Sequence, residues 1–294
     1  MTLNQNIILE NSASEGAGGG IWNFGNSTLN QNTISGNTSS QGGGIYEYDH
    51  LMTLNQNTIS GNSADQGGGI YNENLMLLNQ STVSGNFATN GGGGIYNDDQ
   101  LSITNSIVAG NTNSGLNDDI DNSDSVVLGG SNIVQVVSGA VTGTYITNAP
   151  LLAPLGNYGG PTQTMPPLPG SPAIDAGADF ITNLFTTDQR GFPRLVGLHV
   201  DIGAVEGVYN PAGPGHINGL LRLTNGSTQF TFTNFTDTSY TVYATTNLTL
   251  PFAQWSNLGP AIESPIGSGQ FQFTDAQATN FPRRYQNRML CIHW

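Results

Sequence analysis

The chain has 294 residues with a net charge of -14, and only 9% of them are charged. It contains no lysine; its six cations are arginines, the first at Arg190, and residues 1–150 carry twelve carboxylates, so a nucleic-acid partner is excluded for want of phosphate-neutralising groups. The lone Cys291 excludes an internal disulfide, and no apolar run reaches the roughly 20 residues that a transmembrane helix needs.

Repeats begin almost at Met1. The unit LNQNTISGN occupies Leu29–Asn37 and returns unchanged at Leu54–Asn62, with variants at Leu3–Asn11, Leu78–Asn86 and Ile103–Asn111. Successive starts lie 26, 25, 24 and 25 residues apart. A second block alternates with the first: GGGIW at Gly18–Trp22 and GGGIY at Gly42–Tyr46, Gly67–Tyr71 and Gly92–Tyr96. Gly, Asn and Thr oppose helices, so the segments read as short strands. Leu29 and Ile34 are five apart. An odd separation cannot place both inward on one straight strand, so a corner must fall near Asn30 or Gln31.

A unit that bends several times and returns to its start is one coil of a right-handed parallel β-helix, stacked at about 4.8 Å per coil. Three interior columns follow. They are Leu3, Leu29, Leu54, Leu78 and Ile103; Ile8, Ile34, Ile59, Val83 and Val108; and Ile21, Ile45, Ile70 and Ile95. Asn11, Asn37, Asn62, Asn86 and Asn111 line a corner, where amides bond from copy to copy. The joints between the repeated blocks read as outward loops. Leu3 already sits in a core column, with no capping element or signal peptide before it. The expectation is a fragment whose N-terminal coils are missing.

After Ser114 the pattern loosens into irregular coils. Residues 148–209, rich in Pro and Gly, read as a closing segment that runs along the solenoid and covers its C-terminal end. Asn210–His216 reads as a linker. Beyond it, QFTFTNF (Gln229–Phe235), YTVYATT (Tyr240–Thr246) and QFQFTD (Gln270–Asp275) predict a small antiparallel β-sandwich over residues 217–294. The final RRYQNRMLCIHW reads as a disordered tail or an altered reading frame.

The run LGNYGGPTQTMPPLPGSPAIDAG, then TDQRGFPR and VDIGAVE, follows coils of NTISGN, GGGIYN and SIVAGN. Over residues 1–207 it resembles the choice-of-anchor Q domain family, with Met165 where related sequences often carry His. The resemblance implies a bacterial secreted or cell-surface right-handed β-helix. It supplies no biochemical activity. Residues 217–294 are similar to Ig-like or fibronectin-like modules of exported bacterial proteins.

Four sets of side chains are candidates for chemistry. Asp98, Asp99, Asp118 and Asp119 supply carboxylate pairs of the kind a glycoside hydrolase needs. No Arg, Lys or clustered His accompanies them, so the reading leans away from an enzyme. Asp118, Asp119, Asp121 and Asp124 form the best Ca²⁺ candidate, without EF-hand spacing. Asp175, Asp188, Arg190, Arg194, Asp201 and Glu206 predict a structural ion-pair cluster that pins the closing segment. Trp22, Tyr46, Tyr71 and Tyr96 fall at one coil position and predict an aromatic ladder, either a cover for the coils or a contact surface for extracellular polysaccharide or cell-surface glycan. The expected function is that of a non-enzymatic, adhesin-like or glycan-contacting surface protein. The alternatives are a polysaccharide-active enzyme and a carbohydrate-binding module without turnover.

Overall fold

A computed structural model describes residues 1–168, 170–206, 217–233, 240–245, 256–263, 270–276 and 284–286. The chain divides into two compact units, Met1–Tyr209 and Asn210–Trp294. The first is a parallel β-helix and the second a small antiparallel sheet. The linker Asn210–His216, His293 and Cys291 lie outside the described residues.

Four sheets run along the β-helix. The Leu sheet stacks seven strands, among them Ser27–Asn30, Leu51–Asn55 and Leu75–Asn79. The Thr sheet stacks six, including Thr33–Ser35, Thr58–Ser60 and Thr82–Ser84. The Tyr sheet stacks Ile21–Asn23, Ile45–Glu47, Ile70–Asn72, Ile95–Asn97 and Ile120–Asn122. Pairing aligns like with like: Leu29 on Leu54, Ile34 on Ile59, Ile59 on Val83 and Ile70 on Ile95. These side chains are fully buried in one core. Each buried aliphatic side chain contributes about 1.5–3 kcal/mol relative to exposure.

The joint between Asn37 and Gly42 departs from expectation. It is a strand and not a loop. Thr38–Gln41, Ser63–Gln66 and Phe87–Gly91 pair in parallel as part of a fourth sheet. Its inward residues, Ser39, Ala64 and Ala88, are small, so the sequence lacks the bulky alternation that marks a strand.

Corners fall where backbone must be left-handed. Gln31, Gln56 and Gln80 have φ of 58°, 54° and 44°. Their amides bond in series, Gln31 Nε2 to Gln56 Oε1 and Gln56 Nε2 to Gln80 Oε1. At the next corner Asn37 donates both its backbone N–H and Nδ2 to Asn62 Oδ1, at 3.0 and 2.9 Å, and the pattern repeats onto Asn86 and Asn111. Buried amides stay satisfied only while every coil supplies its rung.

Residues 148–168 and 170–206 lie against the outer face of the Thr sheet. Thr33 Oγ1 donates to Gln163 O, Thr58 Oγ1 to Gln189 Oε1 at 2.6 Å, and Ala204 N donates to Thr82 Oγ1 at 3.1 Å. Ile107, Ala109 and Ile133 of the helix pack with Ala173 and Ile202 of this segment. One 3-10 turn, Asp179–Asn183, interrupts it.

In the second unit the described strands follow the order Arg284–Gln286, Tyr240–Thr245, Ser256–Glu263, Gln270–Asp275, Thr228–Thr233, Ile217–Arg222, all antiparallel. The long strand Ser256–Glu263 pairs through Ser256–Ala261 with one neighbour and through Ile262–Glu263 with the other. Phe230, Val242 and Phe271 form its core.

Candidate functional site

The Tyr sheet is the face on which the sequence concentrates chemistry. Ile21, Ile45, Ile70 and Ile95 point into the core, so the residue after each points out. That column is Trp22, Tyr46, Tyr71, Tyr96 and, one coil on, Asp121. The rings touch in series, with centroids 6.2 Å apart for Trp22–Tyr46, 5.2 Å for Tyr46–Tyr71 and 4.8 Å for Tyr71–Tyr96. Each contact adds about 0.5–1.5 kcal/mol beyond area burial.

A second outward column stands two residues further on: Phe24, Tyr48, Glu73, Asp98 and Ser123. Backbone N–H groups tie its members in register, Tyr48 to Asn23 O, Glu73 to Glu47 O, Asp98 to Asn72 O and Ser123 to Asn97 O. Phe24 packs on Trp22 at 4.7 Å and on Tyr48 at 5.0 Å. Tyr46 and Tyr71 are only 5% exposed, whereas Trp22, Phe24 and Tyr48 are 52%, 56% and 48% exposed. The Tyr71 hydroxyl donates to Asp98 Oδ2 at 3.0 Å, and Tyr46 bonds Glu73. Burial first, then these carboxylates, push both phenols well above their ordinary pKa. The face therefore runs from exposed rings to carboxylates along the coil axis.

The other sequence candidates have separate roles. Asp119 is fully buried and ends the Asn ladder: its Oδ1 accepts Asn111 N–H at 2.9 Å and Asn111 Nδ2 at 3.0 Å, while Oδ2 accepts Val136 N–H at 3.0 Å. Burial raises its pKa. Asp118 Oδ2 accepts Gly92 N–H, Asp121 Oδ1 accepts the Ser138 hydroxyl, Asp99 lies half-buried in the turn after Asp98, and Asp124 is exposed. The structure therefore does not gather Asp118, Asp119, Asp121 and Asp124 around one point. Among the described residues no group of three or more His, Cys, Asp or Glu side chains could hold a metal ion. His50 pairs with its neighbour Asp49, and His199 with Asp179.

The six residues of the closing segment do come together. Arg190 Nε and Nη2 donate to Asp188 Oδ2, and Glu206 Oε2 accepts Asp201 N–H and lies 3.6 Å from Arg194 Nε. Asp201 Oδ1 in turn accepts Asp175 N–H. All but Asp175 are buried. The cluster ties one stretch of the segment to another.

One buried acid escaped the sequence reading. Glu47 stands in the inward column of Asn23, Asn72, Asn97 and Asn122, where each Asn donates Nδ2 to the next, at 2.7 Å for Asn72–Asn97 and Asn97–Asn122. Glu47 accepts from Asn23 at 2.6 Å, but a carboxylate has no N–H to pass on, and its Oε1 has no partner. Burial, with Asp49 nearby, pushes its pKa up to about 7 against the Asn23 bond. The folded state therefore holds a proton that the unfolded chain releases near pH 4.5. Stability falls as pH rises between those values, by roughly 3 kcal/mol at most. Glu47→Gln restores the amide donor. It is expected to flatten the pH dependence of the melting temperature between pH 5 and 7 and to raise that temperature at pH 8. An unchanged slope would show that Glu47 is not the titrating group.

Comparison with known proteins adds one match. The sequence pattern of the Chlamydia polymorphic membrane protein repeat fits residues 58–73 and 80–98. Both segments run from the Thr sheet to the Tyr sheet and include Tyr71, Glu73, Tyr96 and Asp98. The chain is thus similar to that repeat over two coils. No curated protein and no solved structure matches it. Among the described residues no helix is long and apolar enough to cross a membrane.

Proposed function

We propose that the protein is a non-enzymatic, exported or cell-surface β-helix that holds extracellular glycan on its Tyr sheet. The exposed cluster Trp22, Phe24 and Tyr48, backed by the stacked tyrosines, carries this reading, because flat rings in a row match the apolar faces of sugar rings. The similarity to the polymorphic membrane protein repeat supports a surface setting. So does the resemblance of residues 1–207 to choice-of-anchor Q proteins. The low charge, with amides and hydroxyls in place of Lys, fits an exported protein.

Catalysis is the weaker reading. The outer face of the Thr sheet is occupied by the closing segment, and the Asp pairs are divided between ladder, turn and Tyr-sheet roles. In calorimetric titration with extracellular polysaccharide fragments, Trp22→Ala is expected to weaken binding about tenfold or more. No product should accumulate during the titration. Turnover abolished by Asp98→Asn would overturn the proposal in favour of an enzyme.

A further inference from the structure

Resting on the glycan reading, we infer that the Tyr sheet selects a polysaccharide bearing one free amine per sugar ring. Three consecutive coils carry outward carboxylates, Glu73 and Asp98 in the second column and Asp121 in the adjoining first. Coils rise about 4.8 Å, close to the length of one pyranose in an extended chain. A glycan lying along the axis therefore meets one carboxylate per ring. The same two columns hold the exposed rings Trp22, Phe24 and Tyr48 on the preceding coils, so sugar rings of the same glycan stack there.

Charge complementarity sets the sign of the ligand. No Lys or Arg precedes Arg190, so these coils carry no permanent cation to pair with a uronate or sulfate, and an acidic chain is repelled. Each carboxylate accepts one hydroxyl, Glu73 from Tyr46, Asp98 from Tyr71 and Asp121 from Ser138, and each keeps further lone pairs; Asp98 is exposed and Glu73 and Asp121 are half-exposed. Each retains acceptor capacity for an ammonium group. A basic peptide would satisfy the charges, but it offers no flat apolar face to the three exposed rings. That difference favours sugar.

The test is calorimetric titration of the full chain with β-1,4-linked hexamers of glucosamine, N-acetylglucosamine and glucose. An oligolysine peptide of equal charge completes the set, and titrations run at a pH where the glucosamine amines are protonated. The glucosamine hexamer is expected to bind at least about tenfold more tightly than the acetylated one at low salt. That ratio should shrink at ~1 M salt and approach one in the double variant Glu73→Gln, Asp98→Asn. Acetylated or neutral hexamers binding as tightly as glucosamine would overturn the charge inference while leaving the glycan face standing. No binding by any hexamer would overturn both. Oligolysine bound as tightly, with no effect of Trp22→Ala, would replace the sugar with a basic peptide.

Discussion

Replacing Gly68 with alanine is expected to lower the melting temperature by about 10 °C, the equivalent of about 3 kcal/mol in a unit of this size. Gly68 is the middle residue of a GGG block. A Cβ there would lie 2.5 Å from the carbonyl oxygen of Gly93 on the next coil and closer still to that of Phe87. Both obstacles are backbone held in ladders, so neither can yield without separating two coils. The equivalent positions Gly19, Gly43 and Gly93 meet the same kind of obstacle, which is why the block recurs in four successive coils. Gly61 provides the contrast. Its φ is +68°, but a Cβ there would meet nothing nearer than 3.9 Å. The first coil already places Glu10 at that position with φ 55°. Gly61→Asn, a residue that tolerates left-handed backbone, should cost less than about 1 kcal/mol. Thermal denaturation of the two variants side by side decides the matter. Equal melting temperatures would mean that the coils are not stacked in this register.

The same contrast explains what could be read from the letters. The columns of Leu29, Ile34 and Ile45 were legible because stacking forces each coil to repeat the apolar type of its neighbours. The corner at Gln31 followed from an odd separation of inward residues. The joint strand Thr38–Gln41 was not legible, since its pairing comes from neighbouring coils and its own residues carry no apolar alternation. At the candidate site, the Trp22–Tyr96 column was visible because its members are alike. The companion column was hidden because it changes from Phe24 and Tyr48 to Glu73 and Asp98 along its length. Glu47 left a trace, GGGIYE where other coils have GGGIWN or GGGIYN, but its meaning depends on knowing that the column is inward. The closing segment announced itself by Pro and Gly, yet its partners were beyond sequence reasoning: Thr58 and Gln189 meet across 131 residues.

Arg194→Met should release that closing segment while leaving the coils folded. Arg194 is 1% exposed; its Nη2 donates to the carbonyls of Asp201 (2.5 Å) and Gly203 (2.9 Å), and its Nε faces Glu206. Where Glu206 is ionised, removing its buried partner costs about 3–5 kcal/mol, because the carboxylate left behind keeps its desolvation penalty. A methionine fills most of the space, so the loss reports charge rather than a cavity. Proteolysis should then cut within residues 186–200, while circular dichroism retains the β-sheet signal. Burial already pushes the Glu206 pKa up to about 8 against the pull of Arg194. The folded state therefore keeps a proton that the unfolded chain loses near pH 4.5, and this contribution fades as pH rises towards 8. Without Arg194 the carboxyl favours its neutral form more strongly, so lowering the pH towards 5 should restore much of the lost protection. Glu206→Gln added to Arg194→Met should give the same rescue at pH 8. Protection lost equally at both pH values, or unaffected by the second substitution, would show that Arg194 acts through packing and not by balancing Glu206.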